Sequence, residues 1–204
     1  MVIIGVLFGI CCAMLYGLAM LTGTSYNDIS VVINVFVEPI LCVMMMTAAL
    51  LSILKKEQAK IAFNVFKYTV WGLLVIGIIS LAYGGYWLND TILKIPGFSY
   101  DQTLDYDAGQ WSAFAHKVEV ALPAGIYSHN AIFTGIRDIL VNMSGRMGMS
   151  YEALNIIIYV IAELIALAMF YTAYKLKKRN VIYFVNGTVF FIVSVIPTLC
   201  LLST

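Results

Sequence analysis

The chain has 204 residues, of which 62% are hydrophobic and only 11% are charged. A soluble domain typically carries about 25% charged residues, and the mean hydropathy here is +0.92. The composition therefore excludes an ordinary soluble domain and predicts an integral membrane protein that lies in the lipid bilayer. A net charge of +1 argues against nucleic acid as a partner.

Five apolar windows are long enough to cross a bilayer as helices, which takes about 20 residues each. They cover residues 2–21, 31–54, 61–83, 154–174 and 181–202. The sequence thus predicts an all-α integral membrane protein with five transmembrane helices. No basic residue precedes the first window, which favours a retained first helix over a cleaved signal peptide.

The basic residues predict the orientation of these helices. The connectors "KKEQAK", which begins at Lys55, and "KLKKR", which begins at Lys175, are expected to face the cytoplasm. The connector "TGTSYND" has no basic residue and is expected outside. The N-terminus is then cytoplasmic and the C-terminus lies outside. We expect location in the bacterial inner (plasma) membrane.

This orientation divides the chain into three parts. Residues 1–86 form a three-span membrane unit, residues 87–150 an extracytoplasmic segment, and residues 151–204 a two-span membrane unit. The long outer segment contains "HNAIFTGIRDILVNMSGR", which begins at His129 and has apolar residues at helical spacing. It predicts an amphipathic helix on the outer membrane face or against partner helices.

Two stretches of the sequence correspond at an offset of 125 residues. "SYNDISVVINVFVE" begins at Ser25, and "SYEALNIIIYVIAE" begins at Ser150. A glycine lies two positions before each serine, and a basic cluster follows each helix. We interpret this as an internal repeat of two parallel units. The alternative is convergence on common helix-entry signals, because serine caps helices and tyrosine anchors them at the interface.

Each of these stretches ends in a glutamate, Glu38 or Glu163, placed near the middle of the bilayer. An ionised, unpaired carboxylate there costs several kcal/mol, and no lysine or arginine is expected at comparable depth. The functional interpretation is a proton or cation pathway. The structural interpretation is a pair of protonated carboxyl groups that hydrogen-bond between helices.

The neighbours of the two glutamates differ. Asn34 lies one turn before Glu38, and Pro39 follows it and removes a backbone donor. The Glu38 carboxyl group, the Asn34 amide and the backbone carbonyl that Pro39 leaves without a donor together offer oxygen ligands for a cation. Tyr159 takes the place of Asn34 in the second stretch and is expected to hydrogen-bond with Glu163.

The first span carries small residues at every fourth position, a pattern that lets another helix approach closely. The residues are Gly5, Gly9, Ala13 and Gly17. The pattern predicts tight helix packing within the chain or with another subunit, and so a homo-oligomer or a complex with other membrane subunits.

Evidence for a metal or a cofactor is weak. His116 and Glu119 have the i, i+3 spacing of some carboxylate metal sites, but they form a single pair. The four cysteines lie in apolar windows without paired spacing. No motif specifies a cofactor.

The sequence favours a small subunit of an oligomeric membrane assembly that provides a pore or a proton or cation pathway through its intramembrane carboxyl groups. The alternative is a non-conducting structural or assembly subunit of a larger secretion, respiratory or conjugative complex. A membrane enzyme is the weakest hypothesis. Its candidate residues are Asp105, Asp107, His116 and Glu119.

Overall fold

The computed structural model describes residues 2–99, 108–122, 125–126, 129–176 and 180–202. Every regular element within these ranges is a helix. They are α1 (Val2–Thr22), α2 (Tyr26–Ile53), α3 (Gln58–Leu93), α4 (Ala108–Ala121), α5 (Ala131–Met147), α6 (Tyr151–Lys175) and α7 (Asn180–Leu202). Among the described residues, α1, α2, α3, α6 and α7 are long and apolar enough to cross a membrane. The predicted all-helical fold with five such helices is confirmed to that extent.

The third of these helices is longer than its apolar window. The window ends at residue 83, but α3 continues to Leu93 and has 36 residues in all. At 1.5 Å per residue it is about 54 Å long, well beyond a hydrocarbon core of about 30 Å. A salt bridge between Lys94 and Asp90, 2.6 Å long, joins neighbouring turns at its end.

Helices α2 and α6 lie side by side and run in the same direction. The carboxyl groups of Glu38 and Glu163 lie near each other across their interface. Further along both helices, the Ser52 hydroxyl donates to the Tyr174 carbonyl at 3.0 Å. We call this end of the bundle, where Lys55 and Lys175 lie, the lysine end, and the opposite end, where α2 and α6 begin, the tyrosine end.

Both helices begin with the predicted serine caps. The Asp28 amide donates to Ser25 Oγ at 3.1 Å, and the Ala153 amide donates to Ser150 Oγ at 3.2 Å. Gly23 and Gly148 precede them with φ of +68° and +67°, a backbone conformation that side chains with a Cβ rarely adopt. The same turn chemistry therefore starts both helices.

A hydrogen-bond network ties the start of α2 to the start of α5. The Ser25 hydroxyl donates to Asp28 Oδ2 at 2.6 Å, and Asn130 Nδ2 donates to Asp28 Oδ1 at 2.7 Å. Asn130 in turn caps α5 by accepting from the Phe133 amide at 3.0 Å. The two helix starts are thus held together at the tyrosine end.

Helix α5 buries apolar residues against its neighbours. Its apolar residues Ile136 and Leu140 are buried against Leu154 and Ile158 of α6, and Leu201 of α7 packs at the edge of this cluster. The apolar face is therefore covered, at least in part, by helices of the same chain.

Candidate functional site

Each of the two parallel helices contains a π-helical segment that ends directly before its glutamate. In α2 the segment is Val32–Val37, and in α6 it is Ile156–Ala162. The Glu38 amide donates to the Ile33 carbonyl five residues back, as π geometry requires. Because π-helical turns are rare and frequently occur at functional sites, their presence at both glutamates marks this level of the bundle.

Proline does not account for both π segments. Pro39 follows Glu38 in α2, where it removes a backbone donor, but Leu164 occupies the corresponding position after Glu163 in α6. In both helices the residue directly after the π segment is a glutamate.

Glu38 and Glu163 lie close enough to interact electrostatically across the α2–α6 interface. The Glu163 side chain is 5% exposed. Glu38 Oε2 and Glu163 Oε1 are buried and have no hydrogen-bond partner among the described residues. No described lysine or arginine forms an ion pair with either glutamate. The site therefore holds two carboxyl groups without a cationic side chain to balance them.

Other helices complete the surroundings of the pair. Cys11 of α1 lies near Glu38, and Cys42 of α2 lies near both glutamates. Ser194 of α7 lies beside Glu163, and its hydroxyl donates to the Phe191 carbonyl at 2.8 Å. Because the Ser194 proton is used in that bond, the Ser194 oxygen can accept a hydrogen bond from a protonated Glu163 carboxyl group but cannot donate one to it.

Asn34 and Tyr159 line one cleft on the tyrosine-end side of the carboxyl pair. The cleft has a volume of about 20 Å³, room for about one water molecule. Its other polar lining residues are Ser30, Arg137, Tyr151 and Asn155. Tyr159 is 4% exposed, and its hydroxyl oxygen has no hydrogen-bond partner in the described part of the chain, although Thr198 lies near it. The predicted hydrogen bond from Tyr159 to Glu163 is therefore absent from the described contacts.

Apolar side chains fill the bundle on the lysine-end side of the pair. Seven residues of α2 and α6 there are 0% exposed: Cys42, Met45, Ala48, Ala49, Ala166, Phe170 and Ala173. The Phe170 ring packs on Gly187 of α7, where an added Cβ would lie 3.0 Å from the ring. The carboxyl pair thus lies between a polar cleft and a tightly packed apolar layer.

The small residues of α1 divide into two groups. A Cβ on Gly17 would lie 1.8 Å from the Ser80 carbonyl oxygen of α3, and one on Gly84 would lie 1.9 Å from the Ala13 carbonyl oxygen. This half of the predicted stripe packs within the chain. At Gly5 and Gly9, in contrast, an added Cβ would have no atom of another described part of the chain within 4 Å.

The structure does not describe the side chains of the predicted metal ligands, so it does not relate them to the carboxyl pair. His116 and Glu119 belong to α4, but their side chains lie outside the described residues, as do Asp105 and Asp107 altogether. Within the described ranges no group of three or more histidine, cysteine, aspartate or glutamate residues is placed to hold a metal ion.

Ser194, Ser30, Asn155 and Arg137 were not among the residues predicted for the site. Each is a polar residue in a helix, and its sequence position does not reveal which helix it faces. Comparison with protein-family models, curated proteins and solved structures finds no match for this chain.

Proposed function

We propose that this protein is a membrane subunit that provides a pathway for protons or small cations through the Glu38–Glu163 pair. The observation that carries the proposal is the convergence of two buried carboxyl groups, each directly after a π segment and each with an oxygen lacking a hydrogen-bond partner among the described residues. A buried ionised carboxylate without compensation is costly. A proton or cation bound by the pair would remove that cost.

The alternative is that the pair serves only to hold α2 and α6 together. A structural pair would be expected to satisfy its oxygens, because a buried acceptor without a partner costs about 1–3 kcal/mol. The unpartnered Glu38 Oε2 and Glu163 Oε1 therefore favour a site that binds and releases a proton or a cation.

The correspondence between the two helices supports the proposal of an internal repeat. They share a glycine of positive φ, a serine cap, a π segment and a glutamate in the same order. We propose that α2 and α6 are equivalent halves of one pathway. The lysine end is assigned to the cytoplasm by its basic connectors, in a bacterial inner membrane.

We further propose that the protein acts as part of an oligomer. Five spans enclose little space, and Gly5 and Gly9 leave an open face on α1 where another helix could pack. The same face is the observation that favours the second candidate function, a non-conducting subunit of a larger membrane complex.

Cation flux into proteoliposomes distinguishes the two functions. Glu38→Gln and Glu163→Gln should each abolish flux while the variants elute from size-exclusion chromatography as the native assembly does. Glu152→Gln, in the exposed first turn of α6, is the matched control and should keep native flux. Native flux in both pair variants, or no flux from the native protein, would leave the structural function as the better account.

A further inference from the structure

We infer that the species bound by the carboxyl pair is a proton, that it arrives from the tyrosine end, and that the Tyr159 hydroxyl relays it. The inference rests on the proposed function, since it names the substrate of that same pathway. It draws on the cleft, on the position of Tyr159 and on the packing beyond the pair.

The cleft is too small for a hydrated metal cation. Its volume of about 20 Å³ admits about one water molecule, so a metal ion would have to shed most of its hydration shell before entering. Arg137 also lines the cleft, where its positive charge opposes a metal cation and a hydronium ion alike. Asp138 partly offsets that charge through a salt bridge of 2.9 Å. A proton needs neither space nor dehydration, because it moves by exchange along hydrogen bonds.

Tyr159 has the chemistry and the position of a relay. A phenol hydroxyl both donates and accepts a hydrogen bond, so it can receive a proton on one side and release one on the other. Its hydroxyl is buried and unpartnered among the described residues, and Tyr159 lies one helical turn before Glu163. It also lines the cleft. Tyr159 therefore lies between the water-accessible side and the carboxyl pair.

The two halves of the site are not equivalent in this respect. Asn34, at the position of α2 that corresponds to Tyr159, carries an amide, which does not gain or lose protons near neutral pH. The relay is therefore assigned to α6, and Asn34 can only orient water in the cleft.

Access in this conformation is one-sided. The apolar layer beyond the pair contains seven described residues with no exposed surface, including Met45 and Phe170, and their side chains carry no hydroxyl, amide or charged group to hold a water chain. A proton can thus reach the pair from the tyrosine end, and release toward the lysine end requires this layer to separate.

Selectivity of the unmodified protein is the first test. In proteoliposomes with a proton gradient and an opposing sodium or potassium gradient, the zero-current potential should follow the proton gradient alone. A potential set by sodium or potassium, with flux still abolished by Glu163→Gln, would overturn this inference and leave the proposed function intact.

Tyr159→Phe is the second test. It keeps the ring and removes the hydroxyl, and it should lower proton flux by about a hundred-fold or more, the scale of losing one proton-transfer group. Tyr171→Phe, on the same helix but 45% exposed, should leave flux unchanged. Size-exclusion elution and melting temperature should match the native protein in both variants. Native flux in Tyr159→Phe would overturn the relay. Native flux in Glu38→Gln and Glu163→Gln would instead remove the proposed function itself.

Discussion

Glu38 and Glu163 each occupy the first position after a π-helical segment, and their carboxyl groups lie near each other across the interface of two parallel helices. The residues are 125 positions apart in the chain, and each lies one turn beyond a polar residue that lines the cleft, Asn34 or Tyr159. The packing of the two helices thus brings two glutamate carboxyl groups into one site, where one has an amide and the other a phenol as its neighbour.

The contact between α1 and α3 is expected to be intolerant of any added side chain. Gly17→Ala places a methyl group 1.8 Å from the Ser80 carbonyl oxygen, which belongs to the backbone and cannot move away on its own. We expect a loss of about 1–3 kcal/mol or more in the free energy of unfolding, as for overpacked cores. Denaturation in mixed detergent micelles measures it.

Gly5→Ala is the control for that variant, since no atom elsewhere in the described ranges lies within 4 Å of the added carbon. It should leave the unfolding free energy of the isolated chain within about 0.5 kcal/mol of the native value. Equal losses in the two variants would show that α1 does not pack on α3 as described.

The two serine caps are expected to differ in strength. Replacing a capping serine with alanine typically costs about 1 kcal/mol. Ser150→Ala removes one cap hydrogen bond, whereas Ser25→Ala also removes the 2.6 Å bond to Asp28, which is itself bonded to Asn130. Ser25→Ala should therefore lower the melting temperature more than Ser150→Ala, as followed by circular dichroism. The reverse order would contradict the network at the tyrosine end.

Opening the apolar layer is expected to create a leak. Phe170→Ala removes a ring with no exposed surface that packs on Gly187, and Phe→Ala changes in cores cost about 3–5 kcal/mol. Where the variant still assembles, its passive proton flux should exceed the native flux. Adding Glu163→Gln to it should remove the excess.

Leu164→Ala is the control for the leak, because Leu164 is 60% exposed and lies on the outside of the same helix. It should show native flux. A leak of equal size in both variants would mean that the increase comes from general loosening of the protein.

The orientation is tested by labelling introduced cysteines with a membrane-impermeant maleimide in a variant whose four native cysteines are replaced. A cysteine at Lys56 should react only from the cytoplasmic side, and one at Thr24 only from the outside. Reaction of both from the same side would contradict the positive-inside assignment.

The spans and their starts were predictable from the sequence because each rests on local chemistry. Apolar windows specify helices that can cross a bilayer, and glycine before serine specifies the turn at Gly23–Ser25 and its counterpart at Gly148–Ser150. The matching positions of Glu38 and Glu163 within their helices follow from counting residues along each helix.

The site itself depends on packing that one chain segment does not encode. No sequence pattern marks a π segment. Pro39 indicates a missing backbone donor in α2, but α6 has Leu164 at that position and gives no such signal. The pairing of α2 with α6, and the placement of Ser194 and Arg137 beside them, follow from how the helices assemble. The length of α3 exceeded its apolar window because its polar last turns remain helical.

The central claim is tested most directly by measuring proton flux and assembly on one preparation of Glu163→Gln. The substitution keeps the size and hydrogen-bonding capacity of the side chain but removes its ability to exchange a proton. We predict a native elution profile and melting temperature together with loss of flux to the level of empty liposomes. Native flux in this variant, with the protein correctly assembled, would contradict the account.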